Sequence, residues 1–211
     1  MLRIVFARLD TLAPSLGSEG EPLVVMPFIN PVLAARSASQ LARRADAPGQ
    51  ILCIHDVEQK GFIAVANTAF RRSVAPQFAY VAQDAFAGRG WLSAGLEALA
   101  LKSGGLLAFN DGKWNGALAA FGMVERGWAL TNYDGDLFHP GYKRHYADVE
   151  LTIIAMQQRK LRYTPEAMVV EVDWKKERSV VDQDDRLQYL KRGQGAFDRK
   201  VPDPGLRRLF K

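Results

Sequence analysis

Leu23-Val-Val-Met-Pro-Phe28 runs into Ile29-Asn30-Pro31 and then into the stretch from Val32 to Ala45. Its first six residues are continuously apolar rather than alternating, as in a strand buried on both faces, and Asn30-Pro31 closes it. Beyond the break, Ala34, Ala38, Leu41, Ala42 and Ala45 recur at three- and four-residue spacing while Arg36, Arg43 and Arg44 fall elsewhere, which predicts a helix. Asp46-Ala-Pro-Gly49 ends that helix, and Gln50-Ile-Leu-Cys-Ile-His55 is a second short strand stopping at Asp56.

The same alternation continues outward. Phe78-Ala-Tyr-Val-Ala82 reads as a strand stopped by Gln83-Asp84, a helix is predicted from Trp91 to Lys102, and Leu106-Leu-Ala-Phe109 runs into Asn110-Asp-Gly-Lys113. Strands alternating with helices predict an α/β fold with a mostly parallel central sheet and helices on both faces. Ligands of such sheets gather beyond the carboxyl ends of the strands, which selects the segments after Phe28, His55, Ala82 and Phe109. Asp56, Asp84 and Asp111 should then converge on one rim, where like charges repel unless a hard divalent cation or a donor-rich ligand compensates them. The competing reading is that each Asp caps the next turn or helix.

Composition narrows the class. The chain has 211 residues, 48% of them apolar, enough for a substantial core. Apolar runs such as Leu23–Phe28 and 105–109 are far too short to span a bilayer, and Arg3 and Arg8 interrupt the order a signal peptide needs. Cys53 is alone, so an internal disulfide is excluded and a cytoplasmic location, peripheral to a membrane or not, is the expectation. The formal charge of +5 sits at one end: residues 186–211 carry eight Lys/Arg and two Asp/Glu, against 20 and 21 in residues 1–185. This divides the chain into a domain, 1–185, and a basic C-terminal tail, 186–211. Such a tail suits an anionic membrane surface, a nucleic acid or a diphosphate, and equally a solvated segment with no partner. No glycine-rich dinucleotide or P-loop motif follows a strand, no Gly-x-Ser-x-Gly occurs, and one Cys cannot make a cysteine-ligated zinc site.

Three further segments carry chemistry. His145-Tyr-Ala-Asp148-Val-Glu150-Leu opens a predicted helix with His145 and Asp148 on one face; a carboxylate there can take a proton from a hydroxyl, although a helix N-terminus lowers its basicity. Lys113-Trp114, beside Asp111, offers a cation and a flat ring for a sugar or base, or a core Trp. Glu171 and Asp173 alternate with valines in the strand-like run Met168–Trp174, either holding a metal or lining a solvent edge.

Taken in order, the segments from about Leu23 to about Val172 resemble the inverting family-two glycosyltransferases of the GT-A fold. That resemblance implies a single GT-A-like catalytic domain that binds a nucleotide-diphosphate-sugar through Phe28, Asn30, Asp56, Asn67, Asp84, Asp111, Lys113 and Trp114. Asn67 enters as the end of Gly61-Phe-Ile-Ala-Val-Ala-Asn67, which is similar to the family's small-residue stretch. The family's acidic motif is reduced here to Gln83-Asp84-Ala85-Phe86, so a divalent cation (Mn²⁺ or Mg²⁺) would rest on Asp84 with Glu171 and Asp173. Asp148 matches the family's catalytic base, with His145 and Glu150 on the acceptor side. The implied reaction transfers the sugar with inversion to a glycan or other hydroxyl acceptor, with Arg89, Lys113 or a tail residue as further partners for the leaving diphosphate. A non-catalytic nucleotide-sugar-binding protein and a sugar nucleotidyltransferase of the same fold stay open as alternatives.

Overall fold

The computed structural model describes residues 1–101, 104–172 and 182–210. In chain order the elements are β1 (Arg3–Arg8), β2 (Leu23–Phe28), α1 (Pro31–Arg44), β3 (Gln50–His55), α2 (Phe62–Arg72), β4 (Gln77–Tyr80), β5 (Ala85–Ala87), α3 (Trp91–Ala100), β6 (Leu106–Asn110), β7 (Gly122–Glu125), α4 (Arg126–Ala129), α5 (Ala147–Gln157), β8 (Leu161–Glu171) and α6 (Gln183–Gln194). The eight strands form one mixed sheet in the order β1-β3-β2-β4-β7-β6-β8-β5. Neighbours run parallel from β1 through β4 and again between β6 and β8, while β7 is antiparallel to both β4 and β6, and β5 to β8.

Period-two alternation on a doubly covered sheet explains the continuous apolar run of β2. Leu23 and Val25 enter one core cluster with Phe70 of α2, Ile153 of α5 and Tyr189 of α6; Val24, Met26 and Phe28 enter the other with Leu41 of α1 and Trp91 of α3. Helices thus cover both faces. Trp91 is fully buried, and its indole N–H is satisfied by the Leu41 carbonyl at 3.0 Å. Cys53 is buried between the layers, its thiol pushed up to about 12 by burial, so it packs as an apolar residue.

Several expectations are corrected. The charged N-terminal stretch is an edge strand, β1, parallel to β3, with Phe6 half exposed against the ring of Phe28 at 5.8 Å. The expected strand Met168–Trp174 is the end of the longer β8, and Asp173 lies outside the described residues. The helix expected from His145 starts at Ala147, because Tyr146 turns through a left-handed conformation, φ +65°. Residues 186–210 do not form a solvated tail. Helix α6 runs across the expected boundary at 185, and Tyr189, Phe197 and Val201 are buried in the same core as α5. Among the described residues no helix is long and apolar enough to cross a membrane.

Candidate functional site

A cleft of about 1120 Å³ opens beyond the carboxyl ends of β2, β3 and β4. The turn after β2 shapes it. Asn30 caps α1, its Oδ1 accepting from the N–H groups of Val32 and Leu33 at 3.1 and 3.2 Å, with Pro31 at the first helical position. Gln83 Oε1 accepts from the N–H groups of Ile29 and Asn30 at 3.0 and 2.9 Å, tying the segment after β4 to the turn after β2. Phe28 is stacked on His55 across the parallel register, with ring centroids 4.9 Å apart and planes 7° from parallel. Asp56 accepts from the N–H groups of Lys60 and Gly61 at 2.9 and 2.7 Å, which fixes its carboxylate at the cleft wall. Gly61 has φ +92°, and a Cβ there would lie 3.0 Å from the Lys143 carbonyl, so glycine permits the Asp56 turn to approach the loop before α5.

Phe28, Asn30, Asp56 and Asp84 all line this cleft. The other expected donor-site residues do not. Asn67 is buried, its amide exchanging two hydrogen bonds with the backbone of Phe138 at 2.9 Å each, so it clasps a loop. Asp111 accepts from the N–H groups of Lys113 and Trp114 at 2.9 and 2.8 Å, which is the turn-capping alternative realised. Lys113 pairs with Glu171 at 3.5 Å. The three-carboxylate rim therefore reduces to Asp56 and Asp84. Cations missed by sequence reasoning complete the lining: Arg36 and Arg43, seven residues apart on α1, and Arg144. The signal for the α1 pair is the seven-residue spacing of Arg36 and Arg43, which puts both on one side of the helix.

Among the described residues the carboxylates do not assemble a site for a divalent cation. Glu171 pairs across the β5–β8 ladder with buried Ala85, whereas Val172, whose N–H donates to the Asp84 carbonyl, lines the cleft with Asp84. Glu171 is not among the residues lining the cleft and pairs with Lys113 instead. Among the described residues no group of three His, Cys, Asp or Glu side chains could hold a metal.

A second pocket of about 400 Å³ adjoins the first, and Phe62 and Arg144 line both. Asp148, in the first turn of α5, lines this pocket with His145 and Trp114. It reaches the pocket but is otherwise enclosed by protein. Burial pushes its carboxyl up to about 6, against the opposing pull of backbone N–H groups at its own position and Val149. Desolvation thus outweighs the helix N-terminus that was expected to lower its basicity. Glu150 does not reach the acceptor side. It is fully buried, held by Tyr133 and Tyr142 hydroxyls at 3.0 and 2.7 Å and by the Arg192 guanidinium in a bidentate pair at 2.7 Å.

The loop that brings Arg144, His145 and Asp148 together is set by α6. Asp185, almost wholly buried, accepts from the N–H groups of Lys143, Arg144 and His145 at 2.9, 2.8 and 2.8 Å. His145 Nδ1 accepts from the Asp182 N–H at 3.2 Å, and the Tyr146 ring stacks on Tyr189 at 4.9 Å. Asp185→Ala strands three N–H donors and should cost about 1–3 kcal/mol. Chemical denaturation checks this, and because Arg144 lines both pockets, the same variant should depress turnover and weaken nucleotide binding together.

No protein-family model matches the sequence, and no curated protein is significantly similar to it. Solved structures do match the fold. The mannosyltransferase PcManGT from Pyrobaculum calidifontis, in complex with GDP-Man and Mn²⁺, aligns with a TM-score of 0.55 at 15% identity over 82% of this chain. S. aureus TarS 1-349 aligns with a TM-score of 0.50 at 9% identity over 71%. The fold is a glycosyltransferase fold. This chain covers 61% and 59% of those two chains, respectively.

Proposed function

We propose that this protein is a glycosyltransferase that moves a sugar from a nucleotide-diphosphate-sugar to a hydroxyl acceptor with inversion. The observation carrying the proposal is Asp148: a carboxylate with its proton affinity raised, at the wall of a pocket that opens into a larger cation-lined cleft at the strand ends. The GDP-Man bound to the mannosyltransferase neighbour supports a nucleotide-sugar donor. The base and ribose would sit against Phe28, Asp56 and Asp84, and the diphosphate among Arg36, Arg43 and Arg144, whose guanidiniums match phosphate oxygens.

Asp148 takes the acceptor hydroxyl proton as that oxygen attacks the anomeric carbon. The bond from this carbon to the diphosphate breaks, and its electron pair leaves on the nucleoside diphosphate. The cleft arginines offset the charge that develops there. Attack from the side opposite the leaving group inverts the centre. A divalent cation such as the neighbour's Mn²⁺ would supply similar neutralisation, but the described carboxylates do not build its site, so no step is assigned to it.

Thermal unfolding against nucleoside diphosphates and nucleotide-sugars, with Mn²⁺ and with EDTA, tests the donor site. One nucleotide series should raise the midpoint, by an amount set by ligand concentration over Kd, and should do so in EDTA as well. No shift with any nucleotide in folded protein would overturn the proposal. A shift without turnover, or pyrophosphate release from a nucleoside triphosphate and sugar phosphate, would favour the non-catalytic or nucleotidyltransferase alternative.

A further inference from the structure

The pocket beside Asp148 is chemically lopsided. Arg144, His145, Tyr146 and Asp148 occupy one edge, contributed by the loop and first turn of α5. The remaining wall is apolar, made by Phe62, Ile63, Trp114, Leu118, Phe138 and Val149. Tyr80 adds only its ring, because its hydroxyl already donates to the Ala119 carbonyl at 2.8 Å. Trp114 stands 45% exposed, with Phe210 of the C-terminal segment packed edge-on at 6.0 Å, so the apolar wall extends outward past the pocket.

A sugar bound here would bring several hydroxyls to a wall that offers hydrogen-bonding side chains on one edge only. Each hydroxyl buried without a partner is penalised, whereas an apolar body gains from the same wall. The volume, about 400 Å³, falls within the range of about 300–1,000 Å³ typical of small-molecule sites. We infer that the acceptor is a small aromatic alcohol or phenol, its ring system seated between Trp114 and Phe138 and its hydroxyl directed to Asp148. This rests on the glycosyltransferase reading above and names its substrate class. In the transfer, the phenol proton passes to Asp148, the phenol oxygen bonds to the anomeric carbon, and the nucleoside diphosphate departs with the electrons of the broken bond.

Titration calorimetry of the full chain with 2-naphthol, and separately with a methyl glucoside, tests the inference without requiring turnover. Saturable naphthol binding is expected, with none by the glucoside. Trp114→Ala, at an exposed position that does not threaten folding, should weaken naphthol about three- to tenfold. Ala120→Trp, which fills the pocket, should abolish it, its folding checked by a cooperative thermal transition. Absence of saturable naphthol binding, equal binding by both variants, or preferential binding of the glucoside would overturn the inference. If nucleotides bind the first cleft while naphthol fails, the acceptor class alone falls. If naphthol binds and no nucleotide does, the acceptor role falls together with the glycosyltransferase reading.

Discussion

Asp148→Asn should lose about 10²–10⁴-fold in kcat while leaving nucleotide binding intact. Asn keeps the shape and the backbone contacts of the carboxylate but cannot accept the proton, so the loss belongs to chemistry rather than packing. The wild-type pH profile carries the same signature. With the carboxyl at about 6 in the free protein, kcat/KM should fall about tenfold per pH unit below that value and level off above it.

Stability should move the opposite way. The folded-state pKa lies above the ordinary carboxylate value of 3.8, so the folded protein binds this proton more tightly than the unfolded chain. Ionisation therefore costs stability as pH rises from about 4 to about 6, and the cost is constant above that. Asp148→Asn removes the charged form, so the variant should exceed wild type by on the order of 1–3 kcal/mol at pH 7 and match it near pH 4. Denaturant midpoints at the two pH values measure this. A variant that retains transfer, or one destabilised at pH 7, would remove Asp148 from the role of base.

Period and composition predicted the two-sided sheet because β2 and β3 are continuous apolar runs and α1 repeats its small residues at helical spacing. They were weaker where one residue type serves two purposes. Asp56 and Asp111 both follow strands and both fold over two N–H groups of their own turns, yet only Asp56 also lines the cleft. Only the loop path distinguishes them. Asp148 and Glu150 stand two residues apart on a helix, so they point about 200° apart, and one reaches the pocket while the other enters the core. Nothing near Glu150 in sequence announces its burial, because its partner, Arg192, is 42 residues away. The C-terminal segment was misread for a related reason: a few buried residues, Tyr189, Phe197 and Val201, carry its packing among many charges. The edge strand β1 interleaves arginines with apolar residues, and a strand exposed along most of its length has little burial to impose a pattern.

That C-terminal segment supplies the largest stability effect expected. Arg192→Met should keep the packing of the side-chain stem and lose the guanidinium that faces Glu150. Two tyrosine hydroxyls would then be left to hold a carboxylate with no exposure to water. Breaking a buried pair on one side costs about 3–5 kcal/mol, which for a chain of this size lowers the unfolding midpoint by on the order of 10 °C. Arg192 also reaches Asp198 at 2.9 Å, but that carboxylate is exposed and adds little. The double substitution Glu150→Gln with Arg192→Met should recover much of the loss, since it removes the stranded charge and leaves an amide the tyrosines can hold. A single substitution costing under about 1 kcal/mol would show that the pair is not what anchors α6. The effect should also extend to the pocket. Arg192 and Asp185 lie on the same helix, seven residues apart, so loosening one end frees the carboxylate that shapes the loop from Lys143 to His145. Turnover of Arg192→Met should therefore fall at temperatures well below its midpoint, while nucleotide affinity falls only by the share Arg144 contributes, since Arg36 and Arg43 sit on α1.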